Sequence, residues 1–143
     1  MATEIWVKSL STITAQDNTS SLDETYDPNS GSYTGGTSTV INQTSGENAA
    51  GAEMLNLILF VDDAPATAGG AEIWYSESED GTNYTNYRYS HTVGEEIGTT
   101  DDIYYDAGLF MLTAQYTKLA VNAVDYDIVD CTLYATPKLM ESQ

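Results

Sequence analysis

The sequence predicts an all-β protein, organised as a single β-sandwich or jelly roll of about eight to nine short strands. β-Branched and aromatic residues alternate with polar residues in short runs, and clusters of Gly, Asn, Asp and Ser separate these runs. No segment keeps the period of a helix for long. A chain of 143 residues also suits one domain with one core between two packed sheets.

The predicted strands follow one another along the chain, and turn-forming segments such as DPNSGS, SGENAAGAE and DDAPATAGG lie between them. In chain order, the predicted strands are residues 4–10, 37–43, 54–62, 71–77, 84–89, 103–105, 109–115, 118–124 and 128–136.

The N-terminal region, residues 1–48, is predicted to be an opening strand followed by a flexible loop or arm, ahead of the sandwich core at 49–143. Its segment 15–36 is rich in Ser, Thr and Asn and has few apolar residues. This composition is typical of a long loop, or of an arm that becomes ordered on a neighbouring subunit. Ile5, Trp6 and Val7 in the opening strand are therefore either part of an ordinary first strand or contacts with another subunit.

The strand in EMLNLILFVDD is apolar on both faces. Alternate residues starting from Leu55 can point into the core, while Met54, Ile58 and Phe60 lie on the opposite face, where only Asn56 is polar. Such a strand is either central and covered on both sides or pressed against another chain. Because no helix is predicted to cover a second face, we expect Met54, Ile58 and Phe60 to contact another subunit.

The segment SESEDGTNYTNY, at residues 76–87, is predicted to be a bend between two strands. Gly81 can adopt a positive φ without penalty, and Asp80 can hydrogen-bond to nearby backbone groups. The acids Glu77, Glu79 and Asp80 would then lie at a solvated tip. This arrangement argues against a metal-binding loop.

The last two predicted strands show the clearest alternation. In KLAVNAV, every second residue from Leu119 shares one face. The next strand is predicted to direct Val129, Cys131, Leu133 and Ala135 into the core. Cys131 is thus expected to be a small buried residue rather than a nucleophile.

No motif for catalysis or a cofactor is present in the sequence. The only histidine, His91, is expected on the surface near a turn, and a zinc site of the usual composition cannot be assembled. Ser90 lacks the context of a nucleophile elbow, and neither glycine-rich nucleotide-binding pattern occurs. Adjacent acids could bind calcium, but no pattern selects one pair from 22 acids. We expect no enzyme activity, no cofactor and no bound metal.

Charge restricts the classes of partner. The chain has 4 Lys and Arg residues against 22 Asp and Glu residues, which gives a net charge of -18. This balance opposes binding to nucleic acid and to anionic membranes. The sequence also shows no secretory signal and no apolar run long enough to span a bilayer, so we expect a soluble protein made in a cytoplasm.

The segments YSESEDGTNYTNY and YTKLAVNAVDYDIVDCTLYATP, with the apolar strand before them, resemble those of small all-β decoration or cement proteins of tailed phages. The resemblance covers residues 53–137, and no motif extends it to the N-terminal third. It implies a structural protein on the outer surface of the capsid, without catalytic residues or a cofactor. The implied partners are the major capsid protein and further copies of this chain, as a homodimer or homotrimer.

A carbohydrate-binding module is the alternative. Similar turns are found in carbohydrate-binding sandwiches, and 11 Tyr and 2 Trp residues offer aromatic rings on which sugars could stack. The candidate rings are those of Trp74, Tyr84, Tyr87 and Tyr89. Aromatic residues of β-proteins are more often core residues or cross-strand pairs, which favours the structural role.

Overall fold

The computed structural model describes the backbone of residues 5–142 and the side chains of residues 7–140. Within these bounds ten strands form two antiparallel sheets, and there is no helix. The predicted all-β class is therefore confirmed, and the two sheets are consistent with a β-sandwich. The narrower assignment as a jelly roll stays a prediction.

The ten strands divide into a large and a small sheet. They are β1 (Ile5–Ser9), β2 (Ile13–Asn18), β3 (Thr37–Ser38), β4 (Ile41–Asn42), β5 (Met54–Asp63), β6 (Gly70–Ser78), β7 (Arg88–Thr92), β8 (Ile103–Met111), β9 (Tyr116–Val124) and β10 (Asp130–Ser142). The large sheet has the order β3-β2-β10-β5-β8, and β1 also pairs with β10. The small sheet has the order β4-β9-β6-β7.

The strand β10 organises the large sheet. One of its edges pairs with β5 from Asp130 to Lys138. Its other edge pairs first with β2, from Cys131 to Ala135, and then with β1, from Lys138 to Ser142. The first two strands of the chain thus lie end to end along the last strand, which places residues from both ends of the chain in one sheet.

The core lies between the sheets and follows the period-two pattern of the strands. In β5 the inward residues Leu55, Leu57, Leu59 and Val61 are fully buried. Each buried leucine stabilises the fold by about 1.5–3 kcal/mol relative to an exposed one. Cys131 is also buried, as predicted, and this burial raises the pKa of its thiol to about 12. The thiol is therefore protonated at neutral pH and unsuited to nucleophilic attack.

The strand β2 is an element that the sequence pattern conceals. The predicted loop or arm at 15–36 contains the last residues of β2, which are paired with β10. Gln16 and Asn18 of this strand are buried although they are polar. Within β2 the low apolar content reflects the buried amide side chains of Gln16 and Asn18, and not a loop.

Other predicted boundaries also differ from the structure. Segment 37–43 is two short strands, β3 and β4, which belong to different sheets. Segment 103–105 and the first three residues of segment 109–115 are joined in one strand, β8, which ends at Met111, and Gly108 takes a φ of 82° at a shift in its pairing with β5. Strand β7 begins at Arg88, so most of segment 84–89 is loop. Val129 precedes β10 and is exposed, which corrects the prediction that it faces the core.

Side chains satisfy the edge of β9 where β4 no longer pairs with it. The Val121 N–H donates to Gln16 Oε1 at 2.8 Å, and the Val121 carbonyl accepts from the Tyr33 hydroxyl. Gln16 Nε2 in turn donates to the Tyr33 oxygen at 3.1 Å. Unpaired strand edges invite pairing with other chains, so this arrangement, the Gln16–Tyr33 plug, protects β9.

On the other side of the sandwich, His91 connects β7 to β8. Its Nε2–H donates to the Ala107 carbonyl at 2.6 Å, which leaves Nδ1 to accept from the Ser90 hydroxyl at 2.8 Å in the neutral ring. His91 is half-buried and is the penultimate residue of β7, so it lies near the end of a strand, as expected, but is only partly exposed. The histidine forms a tie between the two sheets.

Candidate protein-binding face

The outer face of the large sheet, which points away from the core, carries apolar side chains on neighbouring strands. Met54, Ile58 and Phe60 alternate with the buried leucines of β5, and each is half-buried. On β8, alternation places Tyr104, Leu109 and Met111 on the same face. Together with Tyr134 of β10, which lies opposite Ile58, these six residues form the apolar face.

The β8 residues are the most exposed part of the apolar face. The exposed fractions are 66% for Tyr104, 61% for Leu109 and 57% for Met111. The Tyr104 ring lies 4.5 Å from that of Phe60 between centroids, and Met111 is the register partner of Met54. Scattered single apolar residues are common on surfaces, but a contiguous patch indicates a binding surface.

The structure places the sequence-predicted interface residues as follows. Met54, Ile58 and Phe60 lie together on the apolar face. Val7 is 62% exposed and is the register partner of Met140, which is also exposed, so a second apolar pair lies further along β10. Ile5 and Trp6 belong to β1, and their side chains lie outside the described residues.

The sequence pattern does not indicate Tyr104, Leu109 and Met111 as members of this face. In IYYDAGLFM the alternation changes phase, because Asp106 and Leu109 both point outward around Gly108. A glycine inside a strand pattern is the signal that could have indicated such a bulge.

Aspartates surround one end of the large sheet, next to Phe60 and Tyr104. Asp63 pairs with Asp130 in register, Asp17 is opposite Thr132, and the Asp102 N–H donates to the Asp62 carbonyl. The acidic end comprises Asp17, Asp62, Asp63, Asp101, Asp102 and Asp130. At the other end of the sheet Lys138 is opposite Met54, and its Nζ donates to Ser9 Oγ at 2.6 Å.

Partial burial, a hydrogen bond and the crowding of like charges all perturb the carboxyls of the acidic end. Partial burial, followed by the charges of Asp17 and Asp63, raises the pKa of Asp130. A hydrogen bond with Asp62, followed by desolvation and the charges of Asp62 and Asp101, raises the pKa of Asp102. Both carboxyls therefore hold a proton more readily in the folded protein than in an unfolded chain.

Because the folded protein holds these protons more tightly, the destabilisation that Asp102 and Asp130 cause at neutral pH should diminish as the pH falls from 7 towards the ordinary aspartate pKa of about 4. At neutral pH the variant Asp130→Asn should melt about 1–3 °C above the wild type, because it removes one repelling charge. This difference should vanish near pH 4. Circular dichroism melts across this range provide the measurement, with Glu79→Gln as control. A neutral-pH melting temperature of Asp130→Asn below that of the wild type would contradict the prediction.

Asp80 has the role predicted for it, in the bend between β6 and β7. Its Oδ1 accepts from the backbone N–H groups of Thr82 and Asn83, each at 2.8 Å, and its Oδ2 accepts from Asn83 Nδ2 at 2.8 Å. These bonds hold the pKa of the Asp80 carboxyl well below its usual value. Gly81 adopts a φ of 76°, as a tight bend requires. Both carboxylate oxygens are already occupied within the turn.

Three carboxylates elsewhere lie close enough together to be considered for a metal. Asp23, Glu24 and Asp127 each offer an oxygen within 4.8 Å of the others. Two of the three carboxylates already accept backbone hydrogen bonds. Asp23 accepts from the Thr25 N–H at 2.8 Å, and Asp127 accepts from the Glu24 N–H at 2.9 Å. Local turn geometry therefore explains this cluster without an ion.

The candidate sugar-binding aromatics do not form one flat platform. Trp74 and Tyr89 are register partners on the outer face of the small sheet, but their rings meet edge to face, with an interplanar angle of 80°. Tyr84 stacks instead against the Lys118 ammonium, 4.0 Å from the ring centroid. The backbone of Tyr87 is bound by the Asn29 side chain. Edge-to-face contact is the usual geometry of a structural cross-strand pair.

No protein-family model, no curated protein and no solved structure matches this chain. Among residues 5–142 there is also no helix that is long and apolar enough to cross a membrane.

Proposed function

We propose that this chain is a structural virion protein, which decorates and stabilises the outer surface of a phage capsid by docking through the apolar face. The single observation that carries the proposal is the exposure of Tyr104, Leu109 and Met111 beside the half-buried residues of β5. Such an apolar surface, interrupted by Asn56 and Asp106, lowers its free energy when another protein covers it. The assignment to a phage rests, in addition, on the resemblance of residues 53–137 to decoration proteins.

An apolar face of ordinary size suits a contact that gains strength from repetition. A patch on the order of 300 Å² would contribute roughly 7 kcal/mol when buried, before the entropic cost of association is subtracted. One such contact is weak alone. A copy that contacts two neighbouring capsid subunits at once would bind more tightly and would also hold those subunits together.

The charge of the protein agrees with a position outside the shell. With a net charge of -18, a copy of this chain would repel packaged DNA, whereas on the outer surface it meets no such polyanion.

The test is the rupture temperature of empty phage shells, assembled from a candidate major capsid protein. Saturating amounts of the added protein are expected to raise that temperature, because binding only to the intact shell shifts its equilibrium by mass action. A shell that ruptures at the same temperature at every protein concentration would contradict the proposal.

Carbohydrate binding is the second candidate, because Trp74 and Tyr89 lie together on an outer face and Tyr89 is 50% exposed. Calorimetry with a panel of polysaccharides distinguishes the two functions. Heat of binding that disappears in Trp74→Ala would favour the sugar-binding function over the capsid function.

A further inference from the structure

We infer that the apolar face binds a basic protein surface, whose Lys and Arg side chains contact the acidic end, and does not pair with a second copy of this chain. This inference rests on the proposed function and adds the chemistry of the partner. It refines the expectation that the chain itself is the partner at Met54, Ile58 and Phe60.

The first support is the position of charge around the face. The acidic end borders Phe60 and Tyr104, and Asp106 lies between them and Leu109 on the outer side of β8. A partner that covers the apolar residues must therefore bring its own groups close to several carboxylates. Cationic groups at that rim would be attracted, whereas carboxylates would be repelled.

The second support is that self-pairing brings together like charges. A two-fold pair places the same face on both copies. If their strands run in the same direction, the two acidic ends meet. If the strands are reversed, the acidic end of one copy meets the end with Lys138, whose single positive charge offsets only part of the charge of the six aspartates. In both arrangements two chains of charge -18 approach each other.

The third support is that the free edge of β8 is partly blocked. The Ala107 carbonyl at this edge already accepts from His91 Nε2, and the Gly108 N–H donates to Asp106 Oδ1 at 2.9 Å. A strand from another chain would find its ladder interrupted in the middle of β8. Side chains of the outer face, rather than backbone pairing, are therefore left for the contact.

Salt distinguishes the two occupants. Between about 0.1 M and about 1 M NaCl, the Debye length falls from about 10 Å to about 3 Å. Binding of a basic partner should weaken over this range, because its attraction is screened. Pairing of two acidic copies should strengthen, because their repulsion is screened.

The experiment uses a synthetic amphipathic helix of Leu and Lys as the probe and the corresponding Leu and Glu helix as its control. Amide chemical shifts of the full chain locate the bound peptide, and a titration gives its affinity. The test variant combines Asp17→Asn, Asp63→Asn and Asp130→Asn. The matched variant makes the same change of charge at exposed acids elsewhere, through Glu79→Gln, Glu95→Gln and Glu96→Gln.

We expect the Leu and Lys helix to shift the amides of β5 and β8, and the test variant to bind it about ten-fold more weakly, against about two-fold for the matched variant. Equal losses in the two variants, or shifts spread over the whole surface, would overturn the inference. So would a dimer at about 0.1 M NaCl in analytical ultracentrifugation that dissociates in Met111→Ser.

The shell assay separates this inference from the proposed function. Shell binding that depends on Leu109 and Met111 but is unchanged in the test variant would overturn the basic partner and retain the decoration function. Shell binding that is indifferent to Leu109 and Met111 would contradict the docking face itself.

Discussion

Replacing Gln16 with leucine is expected to lower the free energy of unfolding by about 2–4 kcal/mol, although the new side chain is apolar and its position is buried. Gln16 is only 2% exposed, and its Oε1 accepts the N–H of Val121 at the edge of β9. Leucine cannot accept that bond, and water cannot reach the N–H in its place. Leaving the buried Val121 N–H without an acceptor should cost more free energy than the apolar side chain contributes.

Urea unfolding, followed by circular dichroism, measures this change. Thr14→Val on the exposed face of the same strand is the control and should alter the free energy of unfolding by less than about 0.5 kcal/mol. Tyr33→Phe removes the other half of the plug and should cost about 1–2 kcal/mol. Because Gln16 and Tyr33 are hydrogen-bonded to each other, the double variant should lower the free energy of unfolding by less than the sum of the two single variants. Unchanged stability in Gln16→Leu would mean that β9 does not depend on the plug.

The plug also bears on how the protein associates. If neither Gln16 nor Tyr33 binds Val121, the residues that cover the edge of β9 are expected to loosen, and that edge then becomes open to strands of other chains. Such pairing would compete with contacts through the outer face of the large sheet. We therefore expect the plug to help restrict association to the proposed docking face.

Strands with a strict apolar alternation could be predicted from the sequence. In β5 the buried residues follow a period of two without interruption, and β10 repeats this pattern from Cys131 to Pro137, whereas residues 119–123 of β9 are all buried. Each apolar residue in such a strand has its orientation fixed by its neighbours. The prediction that Met54, Ile58 and Phe60 share a face opposite the leucines follows from this rule alone.

The remaining elements depend on interactions between distant residues. Strand β2 is stabilised partly by the bond from Gln16 to Val121, 105 positions away, and its composition resembles that of a loop. The apolar face is completed by β8, whose Gly108 bulge changes which residues point outward. A local pattern contains neither the partner of a buried amide nor the register of a bulged strand, so the sequence predicted only the β5 half of the candidate site.

The double variant Leu109→Ser and Met111→Ser is expected to lose shell binding by about 30- to 100-fold, while its melting temperature stays close to that of the wild type. These side chains are 61% and 57% exposed, so the folded monomer gains little from them. In the docked state both would be covered, and each truncation would remove about 1–1.5 kcal/mol of apolar burial. A change of about 1.4 kcal/mol corresponds to a factor of ten in affinity.

The matched control for this variant is the pair Tyr26→Ser and Tyr126→Ser, at positions that are 37% and 46% exposed and lie outside the large sheet. Co-sedimentation with empty shells gives the affinities, and calorimetric melts verify the fold. The control pair should bind empty shells as the wild type does, because its two tyrosines lie outside the large sheet. Equal weakening in both pairs would assign binding to general hydrophobicity rather than to this face. If binding persists in Leu109→Ser with Met111→Ser, the docking contact must lie elsewhere, with the exposed pair of Val7 and Met140 as the next surface to test.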